Sequence, residues 1–102
     1  MNTTAYRYRF SPEVRLEDVE ASLLLTFFAT ESIHGESQVY LDAGHYFDPD
    51  TRTCVIDASC PVGRDLNRIF VGFLRRELDS QAFNVEAIPT NAKHEQPIKE
   101  VA

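Results

Sequence analysis

From Ala5 to Phe10 the chain alternates: Tyr6, Tyr8 and Phe10 fall on one side, Arg7 and Arg9 on the other. Successive side chains of an extended chain project to opposite faces, so this stretch predicts a half-buried strand. Ser11 and Pro12 end it, Ser11 suited to cap a helix and Pro12 to a first helical position. The period then changes. Over residues 16–35, Leu16, Val19, Leu23 and Phe27 recur at helical spacing and predict one core-facing stripe. Glu17, Asp18 and Glu20 crowd the first turns, where the helix dipole favours negative charge, and Gly35 supplies a stop.

Residues 38–47 and 52–59 return to a strand pattern and predict a hairpin. The Asp48–Thr51 segment, with Pro49 second, suits a tight turn between them, and Gly44 hints at a bulge. Leu66, Ile69, Phe70, Phe73 and Leu74 form the apolar stripe of a second helix over 61–79. Residues 82–88 alternate once more and read as a last strand. From Pro89 onward the chain is polar and aperiodic, which predicts a flexible tail at 89–102 behind a single domain at 1–88.

Strand, helix, strand, strand, helix, strand is the order of an α+β domain of ferredoxin-like βαββαβ topology. It implies a four-stranded antiparallel sheet with two helices on one face. In that arrangement Tyr6, Tyr8, Phe10, Val39, Leu41, Cys54, Ile56, Ala58, Phe83 and Val85 meet the helices. Arg7, Arg9, Tyr40, Asp42, Val55, Asp57, Asn84 and Glu86 lie on the open face. A tight turn pairing Phe47 with Arg52 sets Asp42 opposite Asp57, an unfavourable pair that Arg7 or Arg9 would neutralise.

Bulk properties narrow the function classes. A chain of 102 residues suffices for one small domain, and a net charge of −6 opposes non-specific nucleic-acid binding. No apolar run approaches the ~20 residues of a membrane span, and the first ten residues lack the apolar core of a secretion signal. A cytoplasmic location is the default expectation. Cys54 and Cys60 fit no zinc spacing, and six extended positions hold them beyond disulfide reach, so free thiols in a reducing compartment are expected. No pattern for a metal or other cofactor stands out.

Four groups of residues carry candidate chemistry. Cys60 precedes Pro61 at the mouth of the second helix, where the dipole and Arg64 favour a thiolate; with Asp57 nearby this is the enzymatic reading. Against it, no second cysteine stands at C-x-x-C spacing, and Cys60 with Pro61 also suits an ordinary helix start. His45, Asp48 and Asp50 cluster near the turn, but turn chemistry explains the aspartates and no calcium-loop glycine is present. Arg64, Arg68 and Arg75 share one arc of the second helix and suit phosphate, nucleic acid or an acidic partner. With Arg7 and Arg9 of the first strand, Arg64 and Arg68 are the candidate ligand contacts. Stacking aromatics on the middle strands, which an RNA-binding sheet of this kind needs, are missing.

The fourth group is apolar. Ala21, Leu24, Leu25 and Phe28 fall on the flank and back of the first helix, where a surface helix is ordinarily polar. Apolar surface beyond what one core uses predicts an interface, with a twofold homodimer as the default form and a different protein partner as the alternative. The expectation is a binding or scaffolding module that self-associates through the first helix or through the exposed sheet face.

Overall fold

The computed structural model describes residues 3–90. Its elements are β1 (Thr3–Phe10), α1 (Leu16–His34), α2 (Glu36–Asp42), β2 (Gly44–Asp48), β3 (Thr53–Asp57), α3 (Pro61–Glu77) and β4 (Phe83–Thr90). The four strands form one antiparallel sheet in the order β2-β3-β1-β4. The fold is therefore α+β, with three helices among the described residues. None of these helices is long and apolar enough to cross a membrane.

The alternation of β1 is realised. Tyr8 and Phe10 are buried, Tyr6 is half-buried and packs against the core, and Arg7 and Arg9 face the other way. Cys54 and Ile56 of β3 and Leu66, Phe70 and Leu74 of α3 complete the centre with Val14, Val19 and Leu23. Tyr8 is the polar pin of this core: its ring stands edge-on to Phe70 at 4.9 Å, and its hydroxyl donates to Asn67 Oδ1 at 2.5 Å. Burial pushes its pKa well above the usual phenol range and that of the Cys54 thiol up to about 12, so both stay neutral and compatible with the apolar interior.

Several expectations are corrected. The segment before Gly44 is a helix, not a strand. β2 pairs with β3 from Gly44↔Asp57 to Asp48↔Thr53, so earlier residues would run past the end of β3 with their backbone groups unmet. A short helix meets them locally, with Val39 N–H donating to the Gly35 carbonyl and Ala43 N–H to that of Val39. Val39 is buried there, whereas Leu41, expected in the core, is 73% exposed, and Tyr40 is 86% exposed on α2. Asp42 consequently does not oppose Asp57; Gly44 does, as a regular strand residue in the pairing rather than a bulge.

The hairpin register is Phe47↔Cys54, not Phe47↔Arg52, because Pro49–Arg52 form the loop and Arg52 adopts φ 56°. Ser11 caps no helix: residues 11–14 make a turn, α1 starts at Leu16, and Arg15 occupies the cap without a side-chain bond. Pro89 and Thr90 pair with Thr4 and Thr3 as the end of β4, and the rest of the segment expected as a flexible tail, 91–102, lies outside the described residues.

Connections across the sheet set the helix directions. β2 runs parallel to β1, and β4 parallel to β3, since each pair flanks a strand antiparallel to both. α1 and α3 are the returns of these two units, and because β1 and β3 are antiparallel the helices are antiparallel too. At their junction His34, ending α1, lies 2.8 Å from the Asp65 carboxylate in the second turn of α3.

Candidate functional site

Helix α1 packs with its hydroxyls inward. Its buried residues are Val19, Ser22, Leu23, Thr26 and Thr30, while Leu16 and Phe27 are only half-buried. The threonine hydroxyls need no outside partner: Thr26 Oγ1 donates to the Ser22 carbonyl and Thr30 Oγ1 to that of Thr26, both at 2.7 Å. A side chain that bonds its own helix is satisfied when buried, and small residues let α1 settle closely on its neighbours. The result is an apolar outer face. Leu24, Leu25 and Phe28 are each 54% exposed, and Ala21 beside them is exposed as well. The hairpin tip does not cover them, since Phe47 packs into the core and Tyr46 lies on the opposite sheet face with Val55.

The shoulder of α1 nearer β2 borders an open groove of about 1010 Å³ between α1, α2 and the start of β2. Phe27 and His45 meet edge-to-face at 4.8 Å on its floor, with Tyr40 and Leu41 along one wall and Glu31 and Glu36 also lining it. Burial against this apolar floor lowers the pKa of His45 and favours neutral imidazole. His45 sits on the helix side of β2, whereas Asp48 projects to the other face and spends its carboxylate on the turn, accepting from Asp50 N–H at 3.0 Å and Thr51 Oγ1 at 2.9 Å. His45, Asp48 and Asp50 therefore form no shared site, and among the described residues no group of three His, Cys, Asp or Glu side chains is placed to hold a metal.

Cys60 caps α3 as its sequence context suggests, its sulfur accepting from Gly63 N–H at 3.5 Å. The thiol also donates to the Asp42 carbonyl at 3.4 Å, tying the end of α2 to the start of α3. Asp57 is engaged elsewhere, accepting from Ser59 N–H at 2.9 Å on the open side of the sheet. No hydrogen bond joins the side chains of Cys60, Arg64 and Asp57 among the described residues.

The arginines fall into two separate groups. Arg7 and Arg9 lie on the open sheet face and converge on Glu86, Arg7 by a close ion pair and Arg9 at 3.6 Å. The Arg7 hydrogen bond and charge, with help from Arg9, hold the Glu86 carboxyl below its usual range. Arg64, Arg68 and Arg75 are exposed on α3, whose buried side carries Leu66, Phe70 and Leu74. Sheet and core separate the two groups, so Arg7, Arg9, Arg64 and Arg68 do not form one ligand site. The open face carries Thr53, Val55 and Asp57 on β3 and Ala5, Arg7 and Arg9 on β1, without a stacking aromatic on either middle strand.

Sequence reasoning missed Arg52. Its guanidinium donates to the carbonyls of Ser11 at 2.7 Å, Phe10 at 3.3 Å and Val14, clamping the turn between β1 and α1. Nothing in the pattern around Arg52 announces this, because its partners are backbone atoms some forty residues away.

Searches against protein-family models, curated proteins and solved structures return no match to this chain.

Proposed function

We propose that this protein is a non-catalytic binding module that self-associates through the outer face of α1. The observation that supports the reading most is the inversion of that helix: Thr26 and Thr30 are fully buried while Leu24, Leu25 and Phe28 stand about half exposed. Burying a leucine or phenylalanine side chain completely contributes about 1.5–3 kcal/mol, and roughly half of that is still available at each of the three. A second copy is the occupant that a small domain with a self-complementary apolar strip takes by default. The same reading takes the topology as ferredoxin-like, with α1 and α2 together in the place of the first helix and the strand order, read from the other edge, β4-β1-β3-β2. It takes the free thiols Cys54 and Cys60 as suited to a reducing compartment such as the cytoplasm.

The test is sedimentation equilibrium on the wild type and on a Leu25→Lys/Phe28→Lys variant. The wild type is expected as a dimer at tens of micromolar, and the variant as a monomer with an unchanged far-UV spectrum, since neither side chain is in the core. A wild type that stays monomeric at several hundred micromolar would defeat the reading.

A further inference from the structure

The charges flanking the apolar strip say how two copies meet. Helix α1 carries Glu17, Asp18, Glu20 and Glu31 and no lysine or arginine. Helix α3, its neighbour in the same outer layer, carries Arg64, Arg68, Arg75 and Arg76 against Asp65 and Glu77, a positive balance. Little of this charge is spent within one chain. Among the described residues Arg64, Arg75 and Arg76 have no ion pair, and Arg68 has only Asp65, at 3.6 Å, whose other oxygen His34 already holds. Glu31, Glu20 and Asp18 have no ion pair either, and Glu17 has only the 3.9 Å contact with Arg15. The exposed helix layer is thus an acidic, apolar rod beside a basic one.

Two twofold arrangements can bury the apolar strip, and the charges separate them. With the axis across the helices, α1 lies on its own antiparallel copy. Each Glu31 is then brought toward the Glu17–Glu20 segment of the other chain, acid against acid, which costs affinity. With the axis along the helices, α1 of one copy lies over α3 of the other. Such an axis leaves height along the helices unchanged, so the levels found within one chain hold between chains. The His34–Asp65 contact sets those levels. Counting back along α1 and forward along α3 at equal rise, Glu31 stands level with Arg68, the pair on which the arrangement rests, while Glu20 falls at the level of Asp79, past Arg76. Lateral direction agrees as well. Glu31 sits on the α1 shoulder bordering the α2 groove, and rotation carries that shoulder over the outer side of α3, where Arg64 and Arg68 are exposed.

We infer that the dimer packs helix layer against helix layer, with α1 of each copy over α3 of the other and Glu31 paired with Arg68 and Arg64 across the interface. This inference rests on the self-association proposed above and adds the partner surface, the arginine face of α3. The arginines then have an acidic partner within a homodimer.

Charge reversal tests it. Association of wild type, Arg68→Glu, Glu31→Arg and the double variant is measured by sedimentation equilibrium at low and at moderate salt. Each single reversal sets like charges together at two symmetry-related contacts and is expected to weaken the dimer by about tenfold or more at low salt. The double variant is expected to recover most of the loss, and the wild-type constant to fall as salt rises. A tighter Glu31→Arg dimer, or an Arg68→Glu dimer equal to wild type, overturns the arrangement and favours α1 on α1. If the dimer forms, yields to Leu25→Lys/Phe28→Lys and ignores both reversals, the self-association survives and this geometry does not. A wild type without any dimer removes both.

Discussion

Replacing Gly63 with alanine is expected to cost the fold about 3 kcal/mol or more, the upper end of what overpacking does. A methyl group built there would stand 2.0 Å from the Asp57 carbonyl oxygen and 3.1 Å from its carbon, both rigid backbone atoms at the end of β3. No rotamer relieves this; α3 must lift away from the sheet, and Leu66, Phe70 and Asn67 lift with it. For a domain of this size each kilocalorie corresponds to about 4–8 °C in Tm, so a fall of more than about 10 °C is expected in a thermal melt. Gly72, on the same helix, is the control. Nothing lies within 4 Å of a methyl group there, and alanine gains helix propensity. In the monomeric Leu25→Lys/Phe28→Lys background Gly72→Ala is expected to raise stability by about 0.5–1 kcal/mol. Equal effects at the two glycines would contradict the close approach of α3 to β3.

Arg52→Ala is the second large effect. The guanidinium supplies charged hydrogen bonds to three carbonyls, and a bond to a charged group contributes about 1.5–3 kcal/mol to stability. Water will satisfy some of the freed oxygens, so a net loss of about 2–3 kcal/mol is expected in urea unfolding. Alanine would also keep the unfavourable positive φ without the bonds that hold it. Lysine retains the charge but lacks the fork that reaches several carbonyls, and is expected to fall between wild type and alanine. A loss below about 0.5 kcal/mol would mean that the clamp is ornamental, within the range of an ordinary surface change.

The parts of this fold legible in the sequence are those governed by a local period. β1, α1, α3 and β4 each carry enough alternation or helical spacing to declare their type, and Gly35 and the Cys60–Pro61 pair mark true boundaries. Residues 36–42 misled because Val39, Tyr40 and Leu41 favour a strand locally, whereas the length of β3 decides how much of β2 has a partner. Tertiary pairing is not written at that distance. The outer face of α1 was visible as an excess of apolar residues, but not its depth: the helix turns so that Thr26 and Thr30 replace Phe27 at the most buried line. Threonine reads as polar in a pattern, yet when bonded to its own helix it packs as a small apolar residue. The sequence placed Arg7 and Arg9 on the open sheet face and Arg64, Arg68 and Arg75 on the second helix, but not their partners, since Glu86 and Asp65 are chosen by strand pairing and by side-chain reach.

The central claim is that the apolar side of α1 faces outward in one chain and is covered by a second. Hydroxyl-radical footprinting as a function of protein concentration tests it at the residues themselves. Labelling of Leu25 and Phe28 is expected to be high at low micromolar concentration and to fall severalfold as the dimer forms, while Tyr40, 86% exposed on α2, stays constant. Labelling of Leu25 and Phe28 that is already low in the dilute monomer, or that does not change with concentration, would contradict the account.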